Sequence, residues 1–159
     1  MQVTCRNADH GDRLRAAGLR RTQARQAVLA ALTSAGRPMT HQQLASARGL
    51  KVIDKVTIYR TLTTLRAARL LHVVRGADGT ARFCANGTGS GCPGGHPHFQ
   101  CLRCKEMRCM HEQCLPRVAL DKECVVRAKQ LVVFGMCAAC ASPAAAPAGR
   151  RHRRCRRAR

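Results

Sequence analysis

Two Cys-x-x-Cys pairs, Cys101/Cys104 and Cys137/Cys140, carry the clearest chemistry in this chain. Each pair offers two thiolates to one side of a tight turn, and four thiolates complete the tetrahedron that zinc favours. Thiolate is a soft donor, so zinc is preferred over magnesium or calcium. A closed four-thiolate site leaves no open coordination position, and its expected role is structural: it would tether the region near Phe99 to the chain after Phe134. A looser set of donors consists of His72, Cys84, His96, His98, Cys109 and His111. On a strand, His96 and His98 point to the same side because side chains alternate, which suits a shared metal. As residues alone, surface histidines account for this set as well as ligation does. His10, His41 and His152 read as ordinary polar residues. Cys114 and Cys124 read as small buried apolar residues, the commoner fate of a free cysteine.

The scaffold that must hold these donors is small. At 159 residues there is room for one domain or two small ones, so the core is modest and metal can reinforce it. With no Trp, one Tyr and three Phe, a large aromatic core is excluded. No stretch approaches the ~20 apolar residues of a membrane span, and Met1 to Arg13 lacks the apolar run of a secretory signal. A cytosolic protein with no membrane partner is expected, in which cysteines stay reduced and bind metal rather than pair.

The charge balance points to a polyanionic partner: 29 Lys and Arg against 8 Asp and Glu give a formal +21. Seven of these charges are arginines between Arg150 and Arg159, and +21 less seven leaves +14, so the basic character is not only a tail effect. Cysteine is absent from Arg6 to Phe83 and dense from Cys84 to Cys140. The expected division is a DNA-binding domain over 12–85, a Gly-rich linker over 86–95, a metal-binding dimerisation domain over 96–141 and a disordered Ala/Pro and Arg-rich tail over 142–159.

Within the first part, apolar residues recur at three and four, and Leu19 to Ala35 predicts a helix that stops at Gly36 and Pro38. Thr40 with Gln43 forms a capping-box pattern opening a short helix that Gly49 breaks. Asp54 is a plausible N-cap for a helix from Lys55 to about Arg69, with Ile58, Leu62 and Leu65 on one face. Short helix, turn, longer helix is the helix-turn-helix pattern. Leu71 to Val74 and Ala81 to Phe83, joined through Asp78-Gly79, predict a hairpin that would serve as a wing.

If the helix from Lys55 enters a major groove, Lys55, Thr57, Tyr59 and Arg60 are its readout candidates. Arg20, Arg21 and Arg25 on the preceding helix, with Arg75 and Arg82 beside the hairpin turn, would hold phosphates. The competing view makes Tyr59 half-buried and the cations a solvated helix face.

Four blocks in this order resemble the ferric uptake regulator (Fur) family of bacterial metal-responsive repressors. They are Gly18-Leu-Arg-Arg-Thr-Gln-Ala-Arg25, Thr57-Ile-Tyr-Arg-Thr-Leu62, His96-Pro-His-Phe-Gln-Cys-Leu-Arg-Cys104 and Cys137-Ala-Ala-Cys140. The resemblance implies an α+β fold, an N-terminal winged helix-turn-helix domain followed by a small α/β dimerisation domain with a four-cysteine zinc site. It implies a homodimer on an A/T-rich inverted-repeat operator in double-stranded DNA, with metal as corepressor. Cys84 matches a position where the zinc-sensing branch uses Cys and many members use Glu, and His72 matches a ligand position of that branch. With His96 and His98 they suggest zinc over iron(II) or manganese(II) as the sensed ion. Cys109 stands at a further acceptor position that is Glu in many relatives. Lys129, Gly95 and Pro97 replace ligands of an additional site, which is expected to be absent.

Other readings of the same residues remain open. The same fold can serve a peroxide or redox sensor, because clustered thiols oxidise. A deaminase needs His-x-Glu followed by Pro-Cys-x-x-Cys, and neither pair here follows Pro, so an enzyme is disfavoured. An RNA-binding zinc protein would lack a preference for duplex DNA.

Overall fold

Helix caps written into the sequence set the first half of the chain. The computed structural model describes residues 9–86, 95–113, 115–126 and 128–142. Helix α1 spans His10–Ala16 and opens on Asp9, whose carboxylate accepts from the Gly11 N–H at 2.9 Å. Helix α2 spans Gln23–Ala35, between Thr22, whose hydroxyl accepts from the Arg25 N–H, and Gly36 at φ 59°. The expected start at Leu19 is therefore corrected: Thr22 is the cap, and Arg20 and Arg21 precede the helix rather than ride on it. Helix α3, His41–Ala45, has both halves of the Thr40/Gln43 capping box. Helix α4, Lys55–Ala67, opens where the Asp54 carboxylate accepts from the Thr57 N–H at 2.8 Å. It stops short of Arg69, which turns to φ 56° while the Leu70 N–H returns to the Leu65 carbonyl.

The helical faces close on one aliphatic cluster. Val28, Leu29 and Leu32 of α2 join Leu44 of α3 and Ile58, Leu62 and Leu65 of α4, with Leu14 and Leu71 completing it. Strand β1 (Leu71–Arg75) pairs antiparallel with β2 (Ala81–Ala85) as the wing. Met39 and Phe83 exchange backbone hydrogen bonds at 2.9 and 2.8 Å, which fastens the wing to the α2–α3 link. Arg82 departs from expectation: it is buried, and its guanidinium meets the Asp78 carboxylate at 2.8 Å, so it organises the hairpin turn instead of facing a phosphate.

The second half is a three-stranded sheet in the order β4-β3-β5, made of β3 (His98–Cys101), β4 (Met107–Cys109) and β5 (Val132–Gly135), followed by the short helix α5 (Ala138–Ala141). Strand β3 runs antiparallel to β4 and parallel to β5. Its burial is thin. Among the described residues after Asn86, the buried apolar side chains are Pro97, Cys101, Met107, Leu115 and Cys137, while Val118, Leu120, Val125, Phe134 and Met136 are exposed. At about 25 cal/mol per Å² of apolar surface, so few side chains cannot offset the entropy of ordering the segment. Cys124, expected as a buried residue, is exposed, as are its neighbours Glu123 and Val125. Cys114, Cys92, Cys155, His152 and the arginine tail lie outside the described residues, as does most of the Gly-rich linker.

The two sheets meet through polar contacts. The Gln130 side chain accepts from the Arg75 N–H at 3.0 Å and donates to its carbonyl at 3.1 Å. The fully buried Gln100 accepts from the Ala77 N–H at 2.8 Å, and Arg37 faces Glu106 at 3.5 Å.

Candidate metal centres and nucleic-acid interface

The four knuckle cysteines converge because β3 and β5 lie side by side. Cys101 ends β3, Cys104 sits in the turn toward β4, and Cys137 caps α5, which contains Cys140. Lys105 takes φ 60° to close the first knuckle, and the Leu102 N–H reaches the Gly135 carbonyl at 2.7 Å to hold it against the second. All four Sγ atoms lie within 4.8 Å of one another. Burial pushes the Cys101 thiol up, but the backbone N–H groups of Cys137, Cys104 and Arg103 outweigh it and bring it down to about 6. Four soft donors gathered at this spacing fit a zinc ion and leave no open position.

The second cluster is built from two facing hairpins. In the wing register His72 is opposite Cys84, and in the second sheet His98 is opposite Cys109. His96 lies just before β3. The ligand atoms of His72, Cys84, His96 and His98 fall within 4.8 Å of one another, with Cys84 Sγ 3.5 Å from His96 Nε2. Cys109 stands beside this group, its Sγ 3.3 Å from that of Cys84. Two atoms call for an electrophile: His72 Nε2 and His98 Nε2 are buried without any hydrogen-bond partner. An unsatisfied buried acceptor is costly, and a metal ion satisfies such lone pairs. Burial holds the His72 imidazolium down to about 4, so this ring is neutral and ready to ligate at physiological pH. The hydrogen bond with Cys109, together with burial, pushes the Cys84 thiol up, while the Cys109 thiol is held down chiefly by its bond from Cys84. The donor set fits a soft divalent cation.

Two supporting residues carry no signal as ligands in the sequence. Asn86, which the sequence marks only as a linker position, accepts at Oδ1 from His72 Nδ1 and donates through Nδ2 to the Arg69 carbonyl. That bond fixes the tautomer and leaves Nε2 free for metal. Gly95, at φ 75°, lies so close to the His72 ring that an added Cβ would stand 2.6 Å from its Cε1. A side chain there would displace the ligand.

The DNA-facing candidates lie at the start of α4 and the approach to α2. Lys55, Tyr59, Arg60 and Arg20 are exposed, and Thr57 and Arg25 are half-buried. Tyr59 is 61% exposed, which removes the view that it is a half-buried core residue. Arg25 donates to the Arg20 carbonyl at 2.9 Å, so these two arginines form one local unit. His41 is more than an ordinary polar residue: its Nε2 donates to the Lys55 carbonyl at 3.0 Å and its ring meets Tyr59 edge-on. Val52 and Val56, exposed beside the start of α4, do not stand out in the sequence, since a valine there is indistinguishable from a core position. An apolar side chain at that place can meet a thymine methyl.

The model of the ferric uptake regulator family matches residues 16–129. The chain belongs to the ferric uptake regulator family. Its fold is the Fur fold of metal-responsive transcription regulators, a DNA-binding part followed by a dimerisation part. The Fur structure from Vibrio cholerae is similar at a TM-score of 0.58 and 19% identity, covering 81% of this chain and 100% of that one. Fur from Pseudomonas aeruginosa with manganese gives 0.57 and 22%, covering 82% and 99%. The holo form of XcZur gives 0.52 and 24%, covering 78% and 88%. A comparison with curated protein sequences finds no match. No helix among the described residues is long and apolar enough to cross a membrane.

Proposed function

We propose that this Fur-family chain is a zinc-responsive repressor of the zinc-sensing branch, cytosolic, and homodimeric on an inverted-repeat operator. The domain limits are those expected from the sequence, 12–85 for DNA binding and 96–141 for dimerisation. The Cys101/Cys104/Cys137/Cys140 zinc is structural. The regulatory ion is held by His72, Cys84, His96 and His98, with Cys109 alongside. The observation that carries this reading is the pair of orphaned, buried Nε2 atoms at His72 and His98, one from the wing and one from the second sheet. Thiolate and imidazole donors favour zinc over iron(II) or manganese(II).

When bound, zinc supplies a cross-link between donors of two units that otherwise meet through a few polar contacts. His72 and Cys84 move with the wing, while His96 and His98 move with β3. Holding them together sets the angle of α4 against the dimerisation sheet. The exposed apolar residues Val118, Leu120, Val125 and Phe134 supply the surface a second copy covers. Because half-sites lie one DNA turn or a multiple apart, the spacing of two α4 helices decides whether both dock. Metal raises affinity by selecting that state.

Selection from a random duplex library, with and without zinc, tests this directly. The expected result is an inverted repeat enriched only with zinc. Binding should fall steeply with salt, with a slope of log K on log salt of roughly −5 to −9, as neutralising roughly 6 to 10 phosphates requires. A flat salt response, or enrichment indifferent to zinc, contradicts the proposal.

A second reading rests on the 3.3 Å between the Cys84 and Cys109 sulfurs. Hydrogen peroxide would oxidise the two thiols to one disulfide and be reduced to two waters, removing both donors. Release of operator by peroxide at saturating zinc, with a Cys84–Cys109 disulfide in the peptide map, would favour it.

A further inference from the structure

His111 takes no part in the proposed regulatory site, yet the fold brings it within reach of His96, which belongs to that site, and of Cys109, which borders it. The ligand atoms of His96, Cys109 and His111 lie within 4.8 Å of one another, as do those of His72, Cys84, His96 and His98, and the two groups share His96. The His96 and His111 ring centroids are 4.0 Å apart, closer than the ring pairs inside the inner group, which stand at 4.6 to 5.3 Å.

The groups differ in access. Cys84, His96 and His98 are buried and His72 and Cys109 are half-buried, whereas His111 is exposed. His111 and Cys109 line a surface cleft of about 340 Å³ together with Met110, Glu112 and Gln113. Glu112 places one of the chain's 8 acidic side chains at this cleft, in a protein whose formal charge of +21 otherwise repels cations. A hydrated ion entering the inner group must exchange water for protein donors in steps, and the cleft offers the first of them.

We propose that His96, Cys109 and His111 form a solvent-open loading position for a soft divalent cation of the zinc class, from which the ion passes inward by ligand exchange while His96 stays bound. The proposal rests on the inner group being the regulatory site. On arrival Cys109 ligates as thiolate, with the Cys84 thiol still carrying its proton beside it. On passage inward the Cys84 thiol hands its proton to Cys109 and takes its place. With 3.3 Å between the two sulfurs, the incoming thiolate stands beside the outgoing one, so the ion keeps a thiolate throughout. His111 and the water that the ion still carries are then replaced by His72 and His98. Sharing His96, the two positions fill one at a time, so His111 governs rate and leaves the final occupancy unchanged.

Cobalt(II) is the probe, because its thiolate charge-transfer absorption reports arrival in stopped flow. Full-length protein that retains its structural zinc is compared with His111→Ala and Cys84→Ser variants. The expected result for His111→Ala is the wild-type endpoint spectrum and affinity, with loading and chelator-driven release both slowed on the order of tenfold or more. Unchanged rates overturn the loading position. A changed endpoint also overturns it, because His111 would then belong to the final site. Cys84→Ser is the separate control: if it reaches the wild-type endpoint, the regulatory reading itself fails, whatever His111 does.

Discussion

Cys101→Ser is expected to release the structural zinc and unfold the second sheet while the four helices of the winged-helix part survive. Apparent binding energies of structural zinc are about 10–16 kcal/mol, against a net domain stability of about 5–15 kcal/mol. The loss therefore exceeds what the sheet can absorb, since the apolar side chains buried in this half, among the described residues, are Pro97, two cysteines, Met107 and Leu115. The helices have their own aliphatic cluster, in which Leu29, Leu44, Ile58 and Leu65 are fully buried. Hydrogen exchange separates the two parts. Amides of β3 and β5 should lose protection and those of α2 and α4 should keep it, with the dimer dissociating as its sheet is lost. Retained protection in β3 and β5 would mean that the thiolates do not hold the fold.

Cys84→Ser is expected to leave a folded dimer with its structural zinc and to abolish the gain in operator affinity that zinc produces. Serine fits the same small buried space, so the wing hairpin and its His72–Cys84 register should persist. It removes the soft thiolate, which is the donor that distinguishes zinc. Allosteric couplings of this kind typically change affinity by about 5–150-fold, and that whole factor should vanish in duplex-binding titrations. A Cys84→Ser protein that still responds to zinc like the wild type would remove Cys84 from the site.

Much of the fold is legible where local chemistry decides the outcome. The Thr40/Gln43 box, the Asp54 cap and the Asp78-Gly79 turn are short-range signals, and each stands where its residues require. The Cys-x-x-Cys pairs are legible because their spacing carries the chemistry, although only the parallel pairing of β3 with β5 brings residues so far apart together. The start of α2 is misread from sequence because Leu19, Arg20 and Arg21 have helical propensity and the Thr22 cap overrides it. Arg82 is misassigned because a charge beside a turn looks the same whether it faces solvent or Asp78. The supporting roles of Asn86 and Gly95 at His72 escape notice for a deeper reason: one acts through the Nδ1 of a ligand and the other by having no side chain, and neither role leaves a mark in spacing.

Two metal sites of different kinds should be separable in one measurement, zinc counted per protomer by native mass spectrometry. Protein purified without chelators should carry two zinc ions per protomer in the wild type and one in Cys84→Ser. Brief exposure to a weak chelator should remove the second ion from the wild type and leave the first. A single zinc in the wild type, or two in Cys84→Ser, would contradict the division into a structural and a regulatory site.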